Sequence, residues 1–193
     1  MSSHTDPVEA VPFTAAPSDG GRRTASRSYA VPLVVAVTGH RDLVATEIPR
    51  IRARVRKFLE GLRNDYPDRP IVVMSALAEG SDRLVAAEAL ELRMSLTAVL
   101  PMRRELYLHD FASPESVADF ERLLAAASDV FELPLTPGNT DVSIREPGKN
   151  RSRQYAQAGV FLCAHCHVLI ALWDGRQSDK LGGTSQVVRF HHH

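Results

Sequence analysis

Four short apolar segments, each followed by small or polar residues, constrain the fold of this chain more than any other feature. They are PLVVAVTG from Pro32, PIVVMSA from Pro70, MSLTAVLP from Met94 and HVLIALWDG from His167. Nearly continuous apolar runs of this length are typical of strands buried on both faces of a parallel sheet. DVFEL, from Asp129, is a weaker fifth candidate. The sequence therefore predicts about five mostly parallel strands.

Segments with helical periodicity separate these runs. In residues 47–64 the apolar side chains fall on one stripe and the arginines on the other, and Thr46 can cap the helix start. Further helices are predicted over about 81–92, from Ser113 onward, where Pro follows a capping Ser, and over about 152–164. This alternation predicts an α/β, Rossmann-like, doubly wound sheet with helices on both faces and right-handed crossovers.

The charge of the chain is balanced, with 23 Lys and Arg residues against 23 Asp and Glu residues. A net charge of zero gives no overall field to attract nucleic acid or anionic lipid, so nucleic acid is predicted to be an unlikely partner. The chain has neither an apolar run of about 18 residues nor a signal peptide. We therefore expect a cytoplasmic protein that does not enter a membrane.

The chain is predicted to have one folded domain. Residues 1–30 mix Pro, Ser, Thr, Ala and Gly without periodicity, which is typical of a disordered tail or linker. The domain is expected over 31–190, and the histidines at 191–193 fit a purification tag. Because the chain stops soon after a last helix begins, we expect a longer protein with a further output domain. Pairing of two copies through helices, as in related folds, is compatible with the sequence.

Ligands of such folds bind at the carboxyl ends of the strands, so the residues after each apolar run are the first candidates for a site. Three of these segments combine glycine with hydroxyl or charged side chains, and they should meet at one edge of the sheet. The predicted ligand-binding residues are Thr38, Gly39, His40 and Arg41; Glu79, Gly80, Ser81, Asp82 and Arg83; and Trp173, Asp174, Gly182, Gly183, Thr184 and Ser185.

The residue types in these segments suit a phosphate group. Glycine lets a phosphate approach the backbone, and the free N–H groups and dipole of a helix start favour negative charge. Hydroxyl groups add donors, while Arg41 and Arg83 add positive charge. Each segment alone is more often a turn and helix cap, so the prediction depends on their joint position.

The segments VAVTGHRDL, SALAEGSDRLVAAEAL and VLIALWDG with the following GGTSQVV resemble the SLOG superfamily. This Rossmann-like group contains the DNA-processing Smf proteins and the Lonely Guy phosphoribohydrolases. The resemblance covers about residues 32–190 and is greatest to an uncharacterised bacterial branch with a T-G-H-R first loop. It implies a pocket for a nucleotide-derived ligand such as ADP-ribose or an NAD-like molecule, with residues 39–41, 80–82 and 182–184 as its three loops.

The chain departs from the phosphoribohydrolase pattern at one decisive position. Those enzymes carry P-G-G-x-G-T-x-x-E, whose glutamate takes part in cleaving the N-glycosidic bond, whereas Val187 stands three residues after Thr184 here. We therefore expect a sensor or ligand-reading module that uses no cofactor. A nucleotide-processing hydrolase stays open as an alternative, and binding of single-stranded DNA is a lesser one.

A hydrolase would need a carboxylate or a similar group to activate water or to stabilise the oxocarbenium-like centre. Glu79, Asp82 and Asp174 are the weak catalytic candidates. Each also has a structural interpretation. Glu79 can be a solvated loop charge, Asp82 can be a partner of the helix dipole, and Asp174 can be a turn residue. His40 could contact phosphate or transfer a proton, and is equally well explained as a hydrogen-bonding loop residue.

Two further segments could contribute to the site. PMRRELYLHDFASPES follows the third strand, and its Arg103, Tyr107 and Asp110 could approach a base, a ribose or a second phosphate. Residues 134–153 form a long polar connection, which could act as a lid carrying Arg145, Lys149, Arg151 and Arg153. Tyr155, just beyond it, is a candidate stacking partner. A surface loop and core packing are the structural alternatives.

Two other motifs are given structural interpretations. CAHCH, Cys163–His167, matches the attachment pattern of c-type haem and also suits zinc, but it lies at the amino end of the last strand. We expect buried free cysteines and no metal site. The basic run Arg50, Arg52, Arg54, Arg56 and Lys57 is interpreted as a solvated helix face, because aromatic residues for base stacking are scarce.

Overall fold

The structure is a computed structural model that describes residues 31–192. The strands are β1 (Leu33–Gly39), β2 (Ile71–Ser75), β3 (Ser95–Leu100), β4 (Asp129–Glu132) and β5 (Val168–Leu172). The helices are α1 (Ile48–Asp65), α2 (Ser81–Glu91), α3 (Arg104–Tyr107), α4 (Pro114–Ala126), α5 (Lys149–His165) and α6 (Thr184–His192). The tail expected over 1–30 and the final residue, His193, lie outside the described residues, and the domain limits stay a prediction.

The five strands form one sheet in the order β4-β3-β2-β1-β5, and every neighbouring pair is parallel. The chain adds strands on one side of β1 and then returns to add β5 on its other side. The strand order therefore reverses between β1 and β5, which is where α/β sheets of this kind bind ligands. The predicted α/β Rossmann-like fold is confirmed.

The two faces of the sheet are covered unequally. The larger core cluster contains Val55 and Leu59 of α1, the apolar residues of α2, and Phe120 and Leu123 of α4. A smaller cluster on the other side contains Ala158 and Leu162 of α5. Within residues 31–192, no helix is long and apolar enough to span a membrane.

Two helix starts differ from the prediction. Thr46 lies within a 3-10 turn, and α1 begins only at Ile48, so Thr46 is not its cap. α5 begins at Lys149, three residues earlier than expected, and its first turn therefore belongs to the helix and not to the preceding loop. The start of α4 agrees with the prediction, because the Ser113 side chain accepts a hydrogen bond from the Ser116 amide.

The loops after β1 and β2 are in direct backbone contact. The His40 carbonyl accepts hydrogen bonds from the Ser81 amide at 3.1 Å and from the Ser81 hydroxyl at 2.8 Å. A Cβ atom on Gly39 would overlap the Ser81 side chain, and one on Gly80, whose φ is +77°, would overlap the Arg41 carbonyl. Both glycines are thus required by the approach of one loop to the other.

The CAHCH motif has a structural role at the amino end of β5. The Val34 amide donates to Nδ1 of His167 at 3.0 Å, which fixes that ring beside β1. Cys163 and Cys166 are free and half-buried, and burial raises the pKa of Cys163 to about 11. No group of three metal-ligating side chains is found in the part of the chain that the structure describes.

The basic run on α1 is only partly a solvated face. Glu88 of α2 is completely buried, and it accepts hydrogen bonds from Nη1 of Arg52 at 2.7 Å and from Nε of Arg56 at 2.8 Å. These two arginines therefore join α1 to α2, because a buried carboxylate needs charged partners. Arg50 and Arg54 are exposed.

The Glu88 cluster gives a prediction for stability. Replacing both Arg52 and Arg56 by alanine leaves a buried carboxylate without a cation, so we expect the free energy of unfolding to fall by about 3 kcal/mol. The matched double variant Arg50→Ala/Arg54→Ala should change it by less than about 0.5 kcal/mol. Urea unfolding followed by circular dichroism measures both, and equal effects of the two pairs would contradict this role for Glu88.

Candidate functional site

A cavity of about 580 Å³ opens at the carboxyl edge of the sheet, between the ends of β1 and β5. Its walls combine the segment after β1, the segment after β5, the starts of α5 and α6, and Tyr107 and Asp110 from the region after β3. Predicted ligand-binding residues that line it are Thr38, Gly39, His40, Arg41, Asp82, Trp173, Gly182, Gly183, Thr184 and Ser185.

The cavity carries charges of both signs in a chain that is neutral overall, and three of its lining residues are acidic, Asp42, Asp82 and Asp110. Four cationic side chains line it, Arg41, Arg151, Arg176 and Lys180. Arg176 has a side chain that is 89% exposed, and Lys180 is also exposed, so both can reach a ligand at the mouth. The starts of α5 and α6 also line the walls, and helix starts favour negative charge.

Asp110 holds one wall of the cavity in place. Its carboxylate accepts from Nε of Arg151 at 3.0 Å and Nη2 at 2.8 Å, from Nη2 of Arg41 at 3.2 Å, and from the Tyr155 hydroxyl. Arg151 is almost fully buried and also donates to the carbonyls of Leu106 and Ile144. Arg151 is therefore a fixed part of the wall, whereas Arg41, with 38% of its side chain exposed, still faces solvent.

His40 and Asp174 meet at the mouth. Nε2 of His40 lies 3.2 Å from Oδ1 of Asp174, and both side chains are nearly half exposed. The Arg176 amide donates to Oδ1 of Asp174 at 3.0 Å, and this bond, followed by the contact with His40, lowers the pKa of Asp174 below its ordinary value. Asp174 thus orients the imidazole, although it is not itself among the residues that line the cavity.

Asp82 is a buried carboxyl group in the cavity wall. It is 6% exposed, and the backbone amides of Ala78 and Ala76 donate to it. Burial raises its pKa to about 7, because these amides and the more distant charges of Arg41 and Arg83 compensate only part of the lost hydration. Tyr107 is also buried, and its burial and then the charge of Asp82 raise its pKa well above the ordinary value.

Four predicted residues from the second loop, Glu79, Gly80, Ser81 and Arg83, do not line this cavity. Glu79, Gly80 and Arg83 border a separate groove on the side of α1, α2 and α4. Glu79 accepts a hydrogen bond from the Ser116 hydroxyl, and Ser81 is completely buried against His40. The segment after β2 therefore reaches the cavity through Ala76, Ala78 and Asp82, and Gly80 faces the backbone of the first loop.

Arg103 and Arg153, expected at a lid or base contact, line neither the cavity nor the groove. Arg103 pairs with Asp141, and Arg153 is exposed on α5. Tyr107 and Tyr155, expected at the same contact, do line the cavity. Arg151, expected on the lid, lines it as well, four residues before Tyr155 on one side of α5. The helical spacing of this pair is visible in the sequence, but the helix start expected at 152 left Arg151 in the loop.

The connection between β4 and α5 is held by buried contacts. Ile144 is completely buried in the larger core. Gln154 accepts from the Thr136 amide at 2.7 Å and donates to the Pro101 carbonyl at 2.9 Å. These bonds do not support a freely moving lid, although Pro147 and Gly148 at its end line the cavity.

The buried Asp82 predicts a pH dependence of stability. Its pKa is 3.8 ordinarily and about 7 in the folded chain. Between these values the unfolded chain releases this proton while the folded chain keeps it, so the free energy of unfolding falls as the pH rises from about 4 to 7, by at most about 1.4 kcal/mol per pH unit. Above pH 7 the contribution is constant.

This dependence can be measured by urea unfolding of the wild type and Asp82→Asn between pH 4 and 8. The difference between the two should shrink or change sign across that range, whereas Asp68→Asn, at an exposed position, should follow the wild type. Parallel curves for the wild type and Asp82→Asn would show that Asp82 titrates normally.

Comparison with known proteins gives one informative likeness. No family model matches the chain, and no curated protein matches it. Among solved structures, DNA processing protein A (DprA) from Streptococcus pneumoniae is similar, with a TM-score of 0.50 and 19% sequence identity. The match covers 82% of this chain and 46% of that one, so this chain spans less than half the length of its structural neighbour.

The likeness confirms a shared Rossmann-like fold. It agrees with the resemblance of the sequence to the DNA-processing Smf proteins, while the branch with the T-G-H-R loop stays a prediction. It also overturns one expectation: nucleic acid was predicted to be an unlikely partner, and the structural neighbour is a DNA-processing protein. The expectation had rested on net charge, which averages over the whole surface and does not describe local charge.

Proposed function

We propose that the chain is a nucleotide-binding domain that holds a nucleotide-derived ligand in the cavity at the carboxyl edge of the sheet. The observation that carries this proposal is the convergence of the loops after β1 and β5 and the starts of α5 and α6 on one cavity with four cationic side chains. Its volume of about 580 Å³ lies within the range of small-molecule sites.

The arrangement of charge suggests an orientation for the ligand. Thr184 and Ser185 in the first turn of α6, with Lys180 beside them, suit a phosphate group. The amides of Gly182 and Gly183 already donate to Gln186 and to the Lys180 carbonyl. Tyr155, which packs against Gly182, suits the ribose or base, because an aromatic ring accepts a planar group by stacking. Arg41 lies near that ring and supplies a charged hydrogen-bond donor. We propose that binding of this ligand is read out as a signal.

A sensor is favoured over a phosphoribohydrolase because Val187 replaces the glutamate of the enzyme motif. Val187 is 6% exposed, and its side chain occupies the space where a Cβ on Gly159 would lie. Val187 also lines the cavity, but its aliphatic side chain can neither activate water nor protonate a leaving base.

The proposal predicts which substitution weakens binding. Arg41→Ala removes a charged hydrogen-bond donor from the cavity, so the dissociation constant for ADP-ribose should rise about tenfold. Arg54→Ala, an exposed arginine on α1 that lines no cavity, should leave it unchanged. Calorimetric titration with ADP-ribose, NAD and AMP measures this, and equal affinities for the two variants, or no binding of any nucleotide, would refute the site.

A nucleotide hydrolase is the second candidate, and Asp82 is the observation that favours it. A buried carboxyl group with a pKa of about 7 keeps much of its proton near neutral pH, as an acid that protonates a leaving base must. In such a step the C1′–N bond breaks, the base takes the proton of Asp82, and water adds to C1′ and loses a proton to solvent.

Product analysis separates the two candidates. The hydrolase predicts release of adenine from AMP, with a rate that falls as the pH rises through about 7 because the proton donor is lost. Asp82→Asn should abolish this release and still bind the nucleotide. Binding without any free base, measured by chromatography after overnight incubation, supports the sensor and refutes the hydrolase.

Binding of single-stranded DNA is a further candidate, and it is favoured by the likeness to a DNA processing protein. Phosphates of a strand would use the same cationic side chains as a free nucleotide. Such binding should weaken steeply with salt, because phosphate contacts release counterions. A likeness at 19% sequence identity shows the fold alone. Binding of single-stranded DNA therefore has to be tested by direct binding measurements.

A further inference from the structure

A groove of about 500 Å³ lies beside the cavity, between α1, α2 and α4. Arg41 and Asp42 line both, so the groove and the cavity adjoin at the loop after β1. The groove is therefore the continuation of the nucleotide cavity across the first loop.

The groove is rich in arginine. Arg41, Arg52, Arg83 and Arg122 line it, against three carboxylates, Asp42, Glu79 and Asp119. Arg52 is bound to Glu88, and Glu79 is bound to the Ser116 hydroxyl. Arg122, with a side chain that is 60% exposed, pairs only with Asp119, at 2.8 Å, among the residues described.

Arg83 provides a second, independent observation. Its side chain is 8% exposed, and three of its hydrogen bonds go to the Leu77 carbonyl and to the carbonyl and hydroxyl of Ser116. Its Nη2 atom is buried without a hydrogen-bond partner. The guanidinium packs on the Phe111 ring, 4.4 Å from its centroid, and its Nη1 lies 3.7 Å from Asp119, so its charge is only partly compensated where Arg83 lines the groove.

We propose that the groove is a second subsite, which takes the next phosphate and nucleoside of a ligand whose first nucleotide occupies the cavity. The inference depends on the proposed function and narrows it: the ligand contains at least two nucleoside units joined through phosphate. Arg41 binds the linking phosphate, because it borders both spaces and 38% of its side chain is exposed. Arg122 exchanges Asp119 for the second phosphate.

Two kinds of ligand contain two nucleoside units joined through phosphate: a free dinucleotide and a single strand of nucleic acid. If the ligand is a dinucleotide, it fills both subsites, and a longer strand binds with no higher affinity. A strand continues beyond them, and its affinity rises with each added phosphate contact and falls more steeply with salt.

The test is a length series with the wild type, Arg122→Ala and Arg189→Ala. Calorimetry gives the affinities for AMP and for the 5′-phosphorylated dinucleotide of deoxyadenosine, and fluorescence anisotropy gives that for a labelled twelve-residue deoxyadenosine strand. Arg189 is an exposed cation near the end of α6 that lines neither space, so it is the matched control.

We expect the dinucleotide to bind the wild type at least tenfold more tightly than AMP. Arg122→Ala should remove about tenfold of affinity for the dinucleotide and none for AMP, and Arg189→Ala should change neither. A higher affinity for the twelve-residue strand than for the dinucleotide identifies single-stranded nucleic acid as the ligand. Equal affinities identify a dinucleotide. Both results support the second subsite. AMP binding without a gain for the dinucleotide overturns this inference alone, whereas no binding of any ligand also overturns the proposed function.

Discussion

The contact between the His40 carbonyl and Ser81 is the constraint on which the candidate site depends. Both the amide and the hydroxyl of Ser81 donate to this one oxygen, and they lock the loop after β1 onto the start of α2. A side chain on Gly39 or Gly80 would push these elements apart. The lock places Arg41 between the cavity and the groove and brings Asp82 into the cavity wall.

Local charge is organised around Asp110 in a chain whose net charge is zero. A single carboxylate fixes the buried Arg151 and restrains Arg41, and in doing so it keeps two guanidinium groups near each other without a bound anion. An anionic ligand that attracts Arg41 competes with Asp110 for it. The affinity for phosphate that we propose for this cavity would therefore reflect the difference between two interactions of similar strength.

The fold could be predicted from the sequence because the strand signals are local. Continuous apolar runs marked β1, β2, β3 and β5, and the parallel topology then placed their carboxyl ends at one edge. The roles of individual residues were less accessible, because they depend on packing between distant segments. Gly80 was predicted to approach a phosphate, yet it faces the Arg41 carbonyl. Arg151 and Arg153 were both predicted on the polar connection, and because α5 begins three residues earlier than expected, Arg151 lies on its cavity side and Arg153 does not line the cavity.

The most direct test of the central claim is nitrogen-15 chemical-shift mapping of the chain during titration with ADP-ribose. The account predicts saturable shifts at the amides of Gly39, Arg41, Gly183 and Thr184, which belong to separate loops that meet at the cavity. It also predicts that amides at the opposite edge of the sheet, such as that of His167, stay unchanged. The absence of saturable shifts, or shifts confined to residues outside the cavity, would contradict it.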